Sequence, residues 1–129
     1  MFSFIEKYWK LNRSNNTPDS DRVIEAIKEI GGDDCVIYEG KPGEECLDWI
    51  MPKRWDVKEA YIKTQDGEIL ADFEDNPLML WQYSSPVRQT VTGRELLEHV
   101  VSDPNRPEET IFWFRPGFWY DVNQWGFSL

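Results

Sequence analysis

The 129-residue sequence is poor in the side chains that build metal centres, with one histidine and two cysteines. A zinc site usually combines several histidine and cysteine ligands, and His99 has no second imidazole to join it. Cys35 and Cys46 are eleven residues apart, and neither belongs to a Cys-x-x-Cys pair. The sequence therefore predicts no metal site or cofactor in this chain, and it favours reduced thiols over a disulfide.

Long apolar runs and an excess of positive charge are also missing. No stretch approaches the roughly 20 apolar residues that cross a bilayer, and the first residues lack the basic and apolar parts of a signal peptide. Acidic residues outnumber basic ones by 24 to 14, which gives a net charge of −10. A surface of that sign repels phosphate groups. We therefore expect a cytoplasmic protein that binds neither nucleic acid nor membrane.

Catalytic motifs are equally scarce. The pair Gly31-Gly32 follows a predicted helix, whereas a phosphate-binding loop precedes one. No serine lies in a nucleophile elbow, and the adjacent acidic pairs fall in predicted turns, where carboxylates are usually solvated. A hydrolase site built from His99 and scattered carboxylates has no motif to support it. We therefore expect no catalytic residue in this chain.

Aromatic residues, by contrast, are abundant: they make up 15% of the sequence and include seven tryptophans. One interpretation is a core, because large rings dominate the packing of small domains. The other is an exposed cluster that contacts a sugar, a peptide or a partner domain, most of all in residues 113–125. The candidate contact residues are Trp49, Trp55, Trp81, Tyr83, Trp113, Trp119 and Trp125.

Apolar periodicity predicts two N-terminal helices. Apolar residues recur at helical spacing over residues 1–11, and a polar cluster at 12–16 ends that helix. The second helix has Thr17 as N-cap and Pro18 at its first position, and it ends at Gly31-Gly32. Its apolar residues line one face; they are Val23, Ile24, Ile27 and Ile30.

Short β segments and one short helix follow. The predicted strands are 35–38, 47–51, 60–63, 68–73, 78–83 and 110–115. The Asp66-Gly67 pair predicts a hairpin, and Thr92 with Glu95 forms a capping box before a helix over 95–101 that carries His99. The fold class is therefore α+β: two N-terminal helices followed by a mostly antiparallel β unit with one short helix. We divide the chain into a helical segment, 1–32, and a β-rich inserted-type domain, 33–129, with the alternative that both pack as one domain.

Residues 36–63 carry a more specific pattern: Asp48-Trp49-Ile50-Met51-Pro52, then Trp55, then Ala60-Tyr61-Ile62. Later landmarks follow in order: Asp72-Phe73, residues 83–87 (YSSPV), residues 95–99 (ELLEH) and Trp125-Gly126-Phe127. Together they resemble the N-terminal and inserted portion of a bacterial aminopeptidase-like family of unknown function, within the superfamily of zinc aminopeptidases and glutamate carboxypeptidase. The sequence departs from that family at Lys53-Arg54, where an acidic residue is frequent, and at Ser128, where cysteine is common.

In that family the zinc ligands and the catalytic carboxylate come after this region, so none is assigned to a residue here. The resemblance implies a non-catalytic accessory portion that caps or restricts a peptide-binding cleft or mediates subunit contact. The implied partners are a peptide substrate or the peptidase core, which alone would hold zinc, and a homo-oligomer is a further option. Trp49, Trp55, Trp119 and Trp125 would be structural or contact residues.

An alternative of a different class is a stand-alone binding module for a carbohydrate or an extended peptide. In that interpretation the binding platform consists of Trp81, Tyr83, Trp113 and Trp119.

Overall fold

A computed structural model describes residues 2–14, 16–111 and 125–128. The chain forms two compact units, unit 1 (Met1–Asp56) and unit 2 (Val57–Leu129). Within the described ranges, three α-helices and three short strand pairs, two of them antiparallel, confirm the predicted α+β class. The division at residue 32 stays a prediction. No helix within the described residues is long and apolar enough to span a membrane.

Unit 1 begins with two helices, α1 (Phe2–Tyr8) and α2 (Pro18–Gly31). The first is shorter than predicted, because the Leu11 N–H bonds the Tyr8 carbonyl three residues back and tightens the last turn. The second matches its prediction: the Thr17 side chain accepts a hydrogen bond from the Ser20 N–H, and Gly32 ends the helix at a φ of 61°. A 3₁₀ turn over Gly32–Asp34 follows.

The link between α1 and α2 folds around a buried hydroxyl. Thr17 is fully buried, and its Oγ1 donates to the Asn12 carbonyl at 2.5 Å. Asn12 is itself buried, and its N–H donates to the Asp19 carboxylate at 3.0 Å. Ser20 Oγ donates to the Ser14 carbonyl at 2.6 Å. The segment predicted as a polar turn is therefore a hydrogen-bonded junction that fixes the start of α2.

A small hairpin completes unit 1. Strands β1 (Glu45–Cys46) and β2 (Trp49–Ile50) pair antiparallel, with Cys46 opposite Trp49. The strand predicted over 47–51 is therefore reduced to two residues. The strand predicted over 35–38 is wrong: these residues form no ladder and most of them are exposed, because an apolar run becomes a strand only where a partner strand meets it.

Unit 2 opens with the hairpin that the Asp66-Gly67 turn predicts. Strands β3 (Tyr61–Lys63) and β4 (Ile69–Asp72) pair antiparallel, and Gly67 has a φ of 91°. Ile62 lies opposite Ala71, and both side chains are buried. This pair is one part of the apolar core of unit 2.

The strand predicted over 78–83 is wrong. The Asn76 side chain instead accepts from the Leu78 N–H and caps a 3₁₀ turn over Pro77–Met79, and proline cannot donate to a sheet ladder. Leu80 then forms a single antiparallel bridge with Phe127, and Tyr83 has a φ of 58°.

A further helix and a further strand pair complete the described part of unit 2. The capping box of Thr92 and Glu95 is confirmed at the start of α3 (Gly93–Leu97). The helix ends four residues earlier than predicted, because β5 (Val100–Val101) pairs parallel with β6 (Phe127–Ser128). Of the strand predicted over 110–115, residues 110 and 111 are not in a strand, and 112–115 lie outside the described residues.

Candidate functional site

The two aromatic candidates of unit 1 differ in exposure. Trp49, on β2, is 62% exposed. Trp55 is half-buried, and its backbone N–H donates to the Asn16 carbonyl at 2.8 Å. Trp49 is thus the candidate with a ring available for a partner, whereas Trp55 helps to hold residues 52–56 against the start of α2.

The described aromatic candidates of unit 2 are half-buried. Trp81 lies so close to Gly126 that a Cβ added at Gly126 would come within 2.4 Å of the indole. Trp125 stacks on His99, with 4.0 Å between ring centroids and 16° between planes. These two rings therefore contribute to the packing of unit 2.

The alternative binding platform is only partly within the described residues. Trp81 and Tyr83 do not share a strand face, because their segment is a turn. Trp113 and Trp119 lie outside the described residues, as does most of the 113–125 segment. A platform made of these four residues stays a prediction.

His99 contacts the C-terminal residues of unit 2 through its ring and its backbone. It lies in the turn after α3, its Nδ1 is 3.1 Å from the Trp125 carbonyl oxygen, and its own carbonyl accepts from the Phe127 N–H at 2.9 Å. Together with the ring stack, these contacts fix residues 125–127 beside β5. Within 2–14, 16–111 and 125–128, no three histidine, cysteine or acidic side chains gather as metal ligands. Cys35 and Cys46 are free thiols.

The apolar face of α2 is largely exposed. Ala26 is the one buried residue of this helix, whereas Ile24, Ile27 and Ile30 are 45%, 49% and 74% exposed. The sequence predicts that these residues share a face. The spacing of the apolar residues is the same whether that face is buried in the fold or exposed for a partner. An exposed apolar stripe of this kind is typical of an interaction surface.

A second exposed apolar surface is the hairpin tip, defined here as residues 45–50. Leu47, Trp49 and Ile50 are all exposed there. Three acidic residues, Glu44, Glu45 and Asp48, lie in or beside it. From the sequence, Trp49 is the one residue of the tip predicted as a contact residue, because a leucine in a short loop carries no pattern that indicates its exposure.

Two carboxylates with lowered pKa values lie elsewhere, in unit 2. The Thr92 backbone N–H and, next, its hydroxyl donate to the Glu95 carboxylate and lower its pKa below the ordinary value of 4.5. The Arg106 guanidinium lowers the pKa of Asp103 in the same way. Both carboxylates make local turn and cap contacts, so these shifts indicate structural roles.

The whole chain is similar to the N-terminal part of a longer protein. The chain is 36% identical over its whole length to the N-terminal 28% of a Clostridium acetobutylicum protein described as "Putative polysaccharide biosynthesis protein with aminopeptidase-like domain". The crystal structure of a "putative peptidase" from Clostridium acetobutylicum matches 99% of the chain, with 30% identity and a TM-score of 0.85. The chain covers 29% of that protein, so it spans less than a third of both relatives.

These matches confirm the resemblance to the N-terminal portion of an aminopeptidase-like protein. Residues 54–129, more than half of the chain, match the family described as "Domain of unknown function (DUF2172)". The chain belongs to the DUF2172 family.

Proposed function

We propose that this chain acts as a non-catalytic accessory portion of an aminopeptidase-like protein. It packs on the aminopeptidase-like portion and restricts which peptides enter the cleft. The observation that carries this proposal is the exposed apolar face of α2, in a chain that matches the N-terminal 28% of its relative. Any zinc would be held by the aminopeptidase-like portion.

The packing step follows from the energetics of an amphipathic helix. A 14-residue helix such as α2 gains most of its stability from burying its apolar face. Each Å² of apolar surface removed from water contributes about 25 cal/mol, and Ile24, Ile27 and Ile30 leave much of that gain unrealised. More than two thirds of each relative lies outside the matched region, and that portion is the partner we propose for this face.

The restriction step rests on charge and on the hairpin tip. Peptides that enter an aminopeptidase cleft carry a positive α-amino group, and a surface of net charge −10 attracts it. The exposed Trp49 ring offers an apolar contact for a peptide side chain. We place the protein in the cytoplasm, in keeping with its two free thiols.

The experiment uses this chain joined to the aminopeptidase-like portion of the clostridial relative, in place of that protein's own N-terminal segment. Hydrogen exchange is measured on the joined protein and on the chain alone. We expect the α2 amides to exchange about tenfold more slowly or more in the joined protein. Equal exchange of α2 in both proteins would contradict the packing step.

Peptide hydrolysis tests the restriction step. The double variant Ile24→Ser/Ile27→Ser should undock the accessory portion and raise kcat/KM for decapeptides more than for dipeptides. The matched control, Glu25→Ser/Glu29→Ser, changes the opposite face of the same helix and should leave the ratio of the two kcat/KM values unchanged, because both substrates carry the same α-amino charge. If the first variant alters both substrates equally, the chain has no role in peptide selection.

A second candidate function is carbohydrate binding, which the name of the clostridial relative favours because it mentions polysaccharide biosynthesis. Tryptophan fluorescence of the chain, titrated with oligosaccharides, distinguishes the two candidates. A saturable shift that Trp49→Ala abolishes would support carbohydrate binding, and an unchanged spectrum would count against it.

A further inference from the structure

The tip of the β1–β2 hairpin combines two unfavourable features at one residue. Leu47 is 98% exposed, although its side chain is wholly apolar. Its backbone has a φ of 58°, in the left-handed region that residues with a Cβ rarely adopt. Strain of this kind persists where the surrounding structure imposes it, and it is frequent at functional sites.

The base of the hairpin holds this conformation. The Gly43 N–H donates to the Met51 carbonyl and the Met51 N–H donates to the Glu44 carbonyl, both at 2.8 Å. The Glu44 carboxylate also accepts from the Lys41 N–H at 2.8 Å. With both strands fixed at their base, the two-residue loop Leu47-Asp48 presents the leucine side chain to solvent.

The surroundings of Leu47 define the chemistry of a partner. Trp49 and Ile50 extend the apolar surface. Residues 33–50 contain six acidic side chains and one basic side chain, Lys41. A complementary surface is therefore an apolar pocket rimmed by lysine or arginine. A second copy of the chain has the same acidic tip, so tip-to-tip contact would bring like charges together.

We propose that the hairpin tip inserts Leu47 into an apolar pocket with a basic rim on the aminopeptidase-like portion. The identity of the partner rests on the proposed function above, whereas the surface and its chemistry rest on the exposure, backbone and charge of residues 33–50. Docking of the tip would bury the leucine and use a loop conformation that is already formed, which reduces the entropy lost on binding.

The test is hydrogen exchange of residues 45–50 in the chain alone and in the joined protein described above. We expect the tip amides to exchange about tenfold more slowly or more in the joined protein. Leu47→Gly removes the side chain and suits a positive φ, so its urea midpoint in the chain alone should at least equal that of the wild type. In the joined protein the same variant should lose the protection of the tip.

Two further variants sharpen the result. Leu97→Ala removes an exposed leucine of unit 2 and should leave the protection of the tip unchanged. Asp48→Asn should reduce the protection at low salt and have little effect at high salt, where screening weakens the attraction to a basic rim.

Each outcome separates the two proposals. Protection of α2 without protection of the tip would overturn this inference and leave the proposed function standing. Protection of neither would overturn both. Protection of the tip that persists in Leu47→Gly would overturn the role of Leu47, and tip protection that appears in the chain alone as its concentration rises would assign the surface to a second copy.

Discussion

Units 1 and 2 differ in what they bury. Among the described residues, the buried side chains of unit 1 are Asn12, Thr17 and Ala26, two of them polar, whereas those of unit 2 include Ile62, Ala71, Leu80 and Phe127. Of the exposed large hydrophobic residues in the described part of the chain, two thirds lie in unit 1. Unit 1 therefore takes its shape from hydrogen bonds and leaves apolar surface available, whereas unit 2 has an apolar core of its own.

The largest effect is expected at Gly126, in the packed part of unit 2. Gly126→Ala would place a Cβ 2.4 Å from the Trp81 ring, and the rigid indole cannot move aside without a shift of the backbone. We expect the free energy of unfolding to fall by about 3 kcal/mol, measured by urea denaturation followed by tryptophan fluorescence.

Gly93→Ala is the matched control for that substitution, because a Cβ at Gly93 would meet no atom within 4 Å. This variant should be as stable as the wild type or slightly more stable, since alanine has a higher helix propensity than glycine. Equal stability of both variants and the wild type would show that unit 2 lacks the close packing that separates it from unit 1.

An intermediate effect is expected at Thr17, the buried hydroxyl of unit 1. Thr17→Val keeps the shape of the side chain but removes the N-cap bond to Ser20 and the donor to the Asn12 carbonyl. We expect a loss of about 2 kcal/mol, measured by urea denaturation followed by far-ultraviolet circular dichroism, which reports mainly the long helix α2.

The control for Thr17 is Thr64→Val, in the exposed turn between β3 and β4. Thr64 Oγ1 accepts from the Glu68 N–H at 3.0 Å in contact with solvent, where water can replace the lost bond, so we expect a change within about 0.5 kcal/mol. If Thr17→Val is equally mild, unit 1 depends on apolar contacts after all, and the contrast between the units fails.

The smallest effect is a pH dependence at the start of α3. The pKa of Glu95 is lowered in the folded state, so its carboxylate stabilises the fold above the ordinary value of 4.5. That contribution is lost as the pH falls below 4.5 and through the folded-state pKa. Glu95→Gln should therefore be less stable than the wild type near neutral pH and equal to it in acid, as measured by urea midpoints over a pH series. A difference that persists in acid would assign the effect to geometry instead of charge.

The parts of the fold that are local in sequence could be predicted from the sequence. In three places the residues that form a cap or turn lie within four residues of one another, and all three predictions are confirmed. They are Thr17 with Pro18, Asp66-Gly67, and Thr92 with Glu95. The family resemblance is also confirmed, by the family match and by the two clostridial relatives.

The parts of the fold that depend on partners distant in sequence could not be predicted from the sequence. Residues 35–38 and 78–83 have the composition of strands, but a strand forms only where another segment meets it, and Asn76-Pro77 favours a turn. Strand β6 pairs with β5, whose residues lie 27 positions earlier in the sequence. The exposure of the α2 face and of Leu47 is likewise a tertiary property that periodicity does not encode.

The position of β6 also has a consequence for the order of folding during synthesis. Phe127 bridges Leu80 on one side and bonds the His99 carbonyl on the other, so the middle strand of this arrangement is the last of the three to leave the ribosome. The helices and the β1–β2 hairpin of unit 1 each depend on contacts close in sequence and can form while residues 57–128 are still being made. Unit 2 must keep Leu80 and Val100 unpaired until Phe127 emerges, and closing such long loops is slow. We therefore expect nascent chains that end before residue 125 to be protease-resistant in unit 1 and sensitive in unit 2.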